Sequence, residues 1–517
     1  MKFQKLWETF KQSEQARKFI EVFEAQSNNP LERIDIIGNI FEEMSSLGET
    51  TSKDDAQWWG FQLMVNFPEL SDEQLDNLYE HFIDNLEIWS AYLDGDNIVY
   101  GEKKRDCLLP KGNYRALNNL MHIISTYLYT IDGFYKPIFY SDHFDWIQKN
   151  CELLKIELPD IPRTKDYRRY SLYYIELCEC FKKFQEENDL SDSEFLCYLY
   201  LFGYKLWDEE LQSELPRPTN VWMTGANPWD WEKLENGEIS TSAWACNEDT
   251  QRGDIVIVYA VTPHSCFHSI WRASSGGCFN PFNYYHCRTT ITDGNPIIQI
   301  KYKDFMADPI LSNFKIGHKN LQGVNGFPIS ASEYSAFLQK LKTLGCEITT
   351  LPQLVSINSN WTKPTIEGKN PEKQVEEKLI KPLLHDILGY NVDDYTQQAR
   401  HKSGRKEKSI PDFVFFQEGE HGLEHCPFII EAKHDFKSTC QRRKDYDQGL
   451  CYAQTYHSKL MSIIDMNRVI VYKVDQNGCA DYTKPIFEAQ WEVIYSDPDM
   501  MNKLQKLIGR EVVKQLK

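Results

Sequence analysis

The stretch 410-IPDFVFFQEGEHGLEHCPFIIEAKHDF-436 carries two apolar runs, FVFF and FII, bounded by charges that a buried strand would exclude: Asp412, Glu431 and Lys433. An alternation of two puts Glu431 and Lys433 on one face of the second run and Ala432 on the other. If the two runs pair, Asp412 joins the first face. Upstream, EKQVEEKLIKPLLHDILGY begins acidic, repeats apolar positions at Val375, Leu379, Leu383 and Leu384, and stops at Gly389. That pattern predicts a helix from near Pro371 with Glu372 and Glu376 on one face. Downstream, DYDQGLCYAQTY reads as another helix. From 371 to 517 the order is helix, three strands, helix, strand, an α/β pattern.

Such a cluster suits phosphodiester hydrolysis, which needs a cation against the phosphate charge, an activated water and a stabilised leaving oxygen. Hard carboxylate oxygens hold Mg²⁺, and an adjacent lysine orients water or steadies the transition state. Without a metal the carboxylates repel and one takes up a proton, so strong metal dependence is expected. The letters recur elsewhere: Pro159-Asp160 and Pro498-Asp499 repeat the PD pair, and Glu102 to Lys104 and Glu376 to Lys378 repeat Glu-x-Lys. The plain alternative is a set of salt bridges at strand ends; the ordered context is what favours a site.

On these motifs, residues 371 to 475 resemble the PD-(D/E)xK nuclease superfamily, in particular the N-terminal nuclease domains of type I restriction subunits. The resemblance implies a mixed four-stranded core sheet flanked by helices, DNA as substrate, and Mg²⁺ with Mn²⁺ able to substitute. It implies catalytic roles for Asp412, Glu431, Lys433 and Gln448, the last followed by Tyr452. The metal set it implies is Asp412, Glu431, the Ala432 position and either Glu376 or Glu372. Between helix and PD strand, ARHKSGRKEKS carries Arg400, Lys402, Arg405, Lys406 and Lys408, either a solvated hairpin tip or a phosphate clamp. No GxxxxGK[ST] is present, so no ATP-driven motor is written in the chain.

The middle of the chain reads as short strands, NVWMTG, GDIVIVYAV, SCFHSIWRAS, YYHCRTTI and PIIQIKY, with NPWDW taken as a turn. Trp222, Trp229, Trp231, Trp244 and Trp271 make five of the 13 tryptophans, a density that fits either a core or an aromatic cage for a flat base. Residues 218 to 345 resemble the PUA-like EVE and YTH group of modified-base readers, through NVWMTGANPWDW, the tryptophan before RGDIVIVY, YYHCRTTI with Pro296, and LQGVNGFPIS. The resemblance implies Trp244 as a base-stacking wall, with Trp222, Asn220 and Tyr259 beside it, and a structural Gly253-Asp254 turn. A competing zinc constellation is His264, Cys266 and His268, with Cys278, His286 and Cys287.

Residues 1 to 215 read as helices. Ser71 and Gln74 precede a stripe of Leu75, Leu78, Tyr79, Phe82 and Ile83, and Ser191 and Glu194 have capping-box spacing before a nearly all-apolar run. Residues 1 to 220 hold 23 Lys+Arg against 40 Asp+Glu, most of the chain's net charge of −19. That argues against this segment lying along a polyanion. It predicts a scaffold that dimerises the chain or binds a partner. The 517 residues allow roughly three domains. No run approaches the roughly 18 apolar residues of a membrane span, and the N-terminus lacks a signal-peptide core, so a cytoplasmic chain without membrane contact is expected. The 14 scattered cysteines include no CxxC pair and predict reduced thiols.

The expected fold is multidomain: an α-helical domain (1–215), a PUA-like β-barrel reader (218–345), a linker (346–370) and an α/β restriction-endonuclease-like nuclease domain (371–517). The expected function is a modification-dependent restriction endonuclease acting on modified phage DNA in antiviral defence. The alternatives are an RNA-directed or signal-activated nuclease and a non-catalytic nucleic-acid-binding protein.

Overall fold

A computed structural model describes residues 3–24, 125, 129, 133–138, 144–162, 167–203, 205–206, 213–237, 242–282, 287–355, 360–402, 408–420, 423–436 and 438–516. The chain forms two compact units. One joins Met1–Glu214 with Ala243–Asp249 and Gly276–Thr289; the other joins Leu215–Ser242, Thr250–Ser275 and Thr290–Lys517. The middle segment expected as a single domain therefore lends two short pieces to the helical unit. Among the described residues no helix is long and apolar enough to cross a membrane, and no disulfide is formed.

The first unit is built on α1 (Gln4–Lys11), α2 (Glu14–Glu24), α3 (Phe144–Leu154), α4 (Tyr167–Glu187) and α5 (Asp192–Leu196). The capping box expected at Ser191 is formed: the Ser191 hydroxyl accepts from Glu194 N–H, and the Glu194 carboxylate accepts from Ser191 N–H at 3.0 Å. Two backbone donors that a helix start would leave orphaned are thus satisfied. The next run, Cys197–Phe202, is buried throughout and packs with Trp7, Tyr173, Tyr174, Phe181 and Phe282. The stripe expected after Ser71 lies outside the described residues.

Seven strands come next: β1 (Val221–Ala226), β2 (Ser242–Ala245), β3 (Ile255–Ala260), β4 (Cys266–Ala273), β5 (Cys278–Phe279), β6 (Cys287–Lys301) and β7 (Phe327–Ile329). Within the second unit the order is β6, β4, β3, β1, β7, curled as a half-barrel, with β1 parallel to β3 and the other pairs antiparallel. Two local expectations fail for identifiable reasons. NPWDW does not turn but opens α6 (Pro228–Glu235): Asn227 Oδ1 accepts from Asp230 N–H at 3.1 Å, Asp230 Oδ2 accepts from Asn227 N–H at 3.0 Å, and Pro228 stands at the first helical position. The runs CRTTI of YYHCRTTI and PIIQIK of PIIQIKY belong to one strand, β6. Its register against β4 shifts twice, between Phe267 and Ser269 and between Ile270 and Arg272, and these irregularities accommodate Pro296.

At Gly294 a β-carbon would fall 2.4 Å from the Trp271 ring. Gly294→Ala is therefore expected to destabilise the second unit by about 2 kcal/mol, read as a lowered urea midpoint, because the indole is buried and cannot retreat. An unchanged midpoint would refute this.

After α7 (Ala331–Thr343), residues expected as a linker are packed. Trp361 stacks on Tyr495 at 4.2 Å and Ile366 is buried in the C-terminal core. Helix α8 (Pro371–Val375) continues through two wide turns, Glu376–Ile380 and Leu383–Ile387, and ends at Gly389 with φ +79°, a conformation open to glycine at no steric cost. Val375, Leu379, Leu383 and Leu384 are all buried, as their spacing requires.

The strands are β8 (Tyr395–Gln397), the hairpin β9 (His401–Lys402) and β10 (Lys408–Ser409), β11 (Phe413–Phe415), β12 (Phe428–Ala432), β13 (Leu460–Ile464), β14 (Arg468–Lys473) and β15 (Phe487–Gln490). Apart from the hairpin they form one six-stranded sheet in the order β15, β14, β13, β12, β11, β8, wider than the four strands expected. Only β12 and β13 are parallel, and a parallel pair needs a crossover, supplied by α9 (Thr439–Thr455). Helices α10 (Trp491–Ser496), α11 (Pro498–Ile508) and α12 (Arg510–Gln515) close the chain.

Candidate functional site

Strands β11 and β12 pair antiparallel, with Phe415 opposite Phe428 and Phe413 opposite Ile430. One step further on each strand stand Asp412 and Glu431. Asp412 Oδ2 accepts from the Ala432 N–H at 2.7 Å, and Lys433 Nζ donates to Glu431 Oε1 at 2.6 Å. Strand β12 is central and apolar on both faces, so Glu431 is drawn inside with it and is only 2% exposed. Its other oxygen, Oε2, is buried without a hydrogen-bond partner among the described residues. Such an orphan acceptor is uncommon and calls for a cause.

The helix glutamates differ in their placing. Glu376 is buried, and its Oε2 accepts from Gln397 Nε2 at 3.2 Å. Gln397 lies on β8 directly opposite Phe413, which brings Glu376 to the Asp412 end of the sheet. Glu372 is exposed, yet its charge acts on Asp412, Glu431 and Lys433. Burial pushes Glu376 up to about 7, with the Asp412 charge adding to it. Burial likewise pushes Glu431 up to about 8, Asp412 again adding and the Lys433 ammonium opposing. Asp412 is also raised by burial, against its bond to Ala432 N–H. Burial pulls Lys433 down, but the charge and hydrogen bond of Glu431 outweigh it, so Lys433 is raised. Lys433 is held up only while Glu431 is ionised. For Glu431 the upward direction prevails, since a nearly sealed carboxylate with an orphan oxygen has one hydrogen bond against its desolvation.

These carboxyls oppose folding once they must ionise. Glu376 and Glu431 lie above their ordinary value of 4.5, so their contribution to stability is fully present below about pH 4.5 and is lost as pH rises through about 7 and about 8. Glu376→Gln should raise the melting temperature at pH 8 by about 3 °C or more, and leave it unchanged at pH 4.5, in chelator-treated protein. Equal melting of the two proteins at pH 8 would refute this.

Gln448 and Tyr452 lie on α9 and bond to each other, Nε2 to the hydroxyl oxygen at 3.0 Å. Arg400 is exposed. Lys402 and Lys408 are on the β9–β10 hairpin, where their backbones face each other, while Arg405 and Lys406 lie outside the described residues. A residue that sequence reasoning missed is Asp465. Fully buried, it accepts from the N–H groups of Phe436, Asn467 and Arg468 at 2.9, 2.7 and 2.7 Å, tying the loop after Lys433 to the β13–β14 turn. Its signal was present: Asp-x-Asn between two apolar runs is turn chemistry. A cavity of about 580 Å³ lined by Arg443, Tyr446, Lys473 and Tyr482 belongs to the other end of this sheet, since Lys473 pairs with Leu460 while Ile464 pairs beside Ala432.

The residues expected to read a base are dispersed. Trp244, in the first unit, is buried, and its Nε1 has no partner among the described residues. Asn220 and Trp222, in the second, are tied to Asp254. The Asp254 carboxylate accepts from Asn220 N–H (2.9 Å), Asn220 Nδ2 (2.8 Å), Trp222 Nε1 (2.9 Å), Gln251 N–H (2.8 Å) and Thr219 Oγ1 (3.1 Å). Tyr259 is buried edge-on to Phe267. The zinc constellation is otherwise engaged: His264 stacks on Trp231 at 3.7 Å, Cys266 Sγ meets Gln299 Oε1 at 3.6 Å, and His268 lies between Ser269 and Glu235. His286 is outside the described residues. Among the described residues no group of three or more His, Cys, Asp or Glu is placed to hold a metal.

Fold and site together define a multidomain chain with a half-barrel sheet and a second sheet whose central strand ends in a carboxylate and lysine cluster. No family model matches the chain, and no curated protein matches it. Among solved structures, the NMR structure of a Rhodopseudomonas palustris protein is 16% identical over 24% of this chain and 94% of that one, with a TM-score of 0.21.

Proposed function

We propose that the chain is a Mg²⁺-dependent nuclease of the PD-(D/E)xK kind whose middle domain, PUA-like, restricts cutting to DNA with modified bases, as a defence against phage DNA. The observation that carries this reading is the meeting of Asp412 and Glu431 across one strand pair, with Lys433 on one Glu431 oxygen and the other oxygen buried and unbonded among the described residues. Salt bridging at strand ends accounts for Lys433 but not for that orphan. The order of helix, three antiparallel strands, crossover helix and parallel strand around it supports the same reading.

The donor set suits a hard divalent cation. Mg²⁺ is ordinarily held by one or two carboxylates, with water and substrate phosphate completing its shell, so Asp412 and Glu431 suffice without a cage of three. Bound there, the cation would neutralise phosphate charge and acidify a water. Glu376 or Glu372 would hold water at the same end. Lys433, anchored by Glu431, presents its ammonium toward the scissile phosphate and stabilises charge that develops in the transition state. Trp244, with an indole N–H that lacks a partner among the described residues, is the residue of the set best able to take a flat base.

The test is to incubate wild type and Lys433→Ala with Mg²⁺ on unmodified DNA, on phage DNA with modified cytosine or adenine, and on RNA. Cutting limited to modified DNA and lost in the variant supports the proposal. Equal cutting of unmodified DNA sinks the reader, cutting of RNA alone moves the substrate, and no cutting of any of them leaves a binding protein. Mg²⁺ should also raise the melting temperature more at pH 8 than at pH 5, since protonated carboxyls bind it poorly.

A further inference from the structure

Helix α11 is fastened on two sides within the second unit. At its first turn the Asp499 carboxylate accepts from Ser332 N–H (3.0 Å) and Ser332 Oγ (2.6 Å), the start of α7. One turn on, Asn502 Nδ2 donates to the carbonyl of Thr219 at 2.6 Å. That carbonyl shares a rigid peptide plane with the Asn220 N–H, which donates to Asp254. The plane between Thr219 and Asn220 is thus gripped at one end by Asp254 and at the other by α11. Three residues beyond Asn502, buried Gln505 donates from Nε2 to the Ile387 carbonyl at 3.0 Å. Arg510 N–H reaches the Leu388 carbonyl at 2.9 Å, and the Tyr390 hydroxyl donates to the Ile508 carbonyl at 2.8 Å. These are the closing residues of the helical stretch that carries Glu372 and Glu376.

Two turns of that stretch are wound wider than an α-helix. Lys381 N–H bonds back to the Glu376 carbonyl and Leu388 N–H to Leu383, five residues each, so two turns hold one residue more than an α-turn. Rewinding a wide turn to α register rotates the residues beyond it by about 100°. The direction of Glu376 relative to Ile387 depends on which winding is held, and the bonds from α11 end where the second wide turn closes.

We propose that α11 is the element that sets the winding of the Glu376 helix from the β1–β3 end of the half-barrel, with Asn502 and Gln505 as positioning residues. Its catalytic meaning rests on the nuclease reading above; the linkage itself does not. Trp222→Phe removes one donor to Asp254 without emptying the core, and so disturbs the hub at its far side.

Hydrogen exchange in full-length protein tests the linkage, with peptides covering 371–390 monitored in wild type, Trp222→Phe, Asn502→Ala and the double variant. Trp222→Phe should accelerate exchange across 376–388 at least threefold, and should add nothing further when Asn502 is already Ala. A stretch unmoved by Trp222→Phe, or two effects that simply multiply, would overturn the linkage. Asn502→Asp, which keeps the size and loses the donor, is read in the same way. DNA cleavage with Mg²⁺ on the same samples separates the two ideas. Coupled exchange with no cleavage in any sample upholds the linkage and removes the nuclease; cleavage with independent exchange effects overturns the linkage alone.

Discussion

Lys433→Ala is expected to lower Mg²⁺-dependent cleavage of modified DNA by about a hundredfold or more, in kcat and with little change in KM for DNA. The ammonium does two things. It stands 2.6 Å from Glu431 Oε1, and it supplies positive charge at the end of a central strand where Asp412 and Glu431 meet. Its loss leaves Glu431 buried without the hydrogen bond it has, and a carboxyl already pushed up to about 8 is driven further toward its protonated form. The variant should therefore lose metal affinity at neutral pH and regain part of it as pH rises. Lys433→Arg keeps the charge but not the compact point of contact, and should recover little. Cleavage by Lys433→Ala within threefold of wild type would remove Lys433 from the chemistry, and with it the assignment of the cutting centre to this cluster.

Asp254→Ala should be the most destabilising single change in the second unit, by about 4 kcal/mol or more. The side chain is buried, and each donor around it loses an acceptor that water cannot replace. An unmet buried donor costs about 1–3 kcal/mol, so several together exceed the range of ordinary substitutions. Asp254→Asn retains one acceptor oxygen and should cost about half as much. The urea midpoint of the second unit, read by tryptophan fluorescence, measures both. A shift below about 1 kcal/mol for Asp254→Ala would mean that Asn220 and Trp222 find other partners, and would return them to the set of residues free to contact a base.

Much of the site was legible because its signals are local. The apolar period at Val375, Leu379, Leu383 and Leu384 needs no knowledge of the partner sheet, and the alternation through FIIEAK sets Glu431 against Ala432 within one strand. In NPWDW two local signals compete. Asn-Pro suits a turn, but the Asn-Pro-x-Asp spacing is also a helix start, and the reciprocal bonds of Asn227 and Asp230 settle it for the helix. The merging of two expected strands into β6 is a different kind of failure. Gly294 and Pro296 look like breakers, and only pairing with β4 on both sides of them keeps the strand going.

By itself the sequence determined the local elements of the C-terminal segment: an acidic helix, strands that carry Asp412 and Glu431 with Lys433 at their ends, and a helix after them; that this helix crosses over between parallel strands is seen only in the fold. Side-chain periodicity and capping act over a few residues, so they are written in a few residues. Only the tertiary structure decided which glutamate is buried, that Asp254 gathers Asn220 and Trp222, and that Asn502 meets Thr219 across 283 residues. Such contacts depend on closing long loops and on which faces bury together, and no short pattern of residues specifies either.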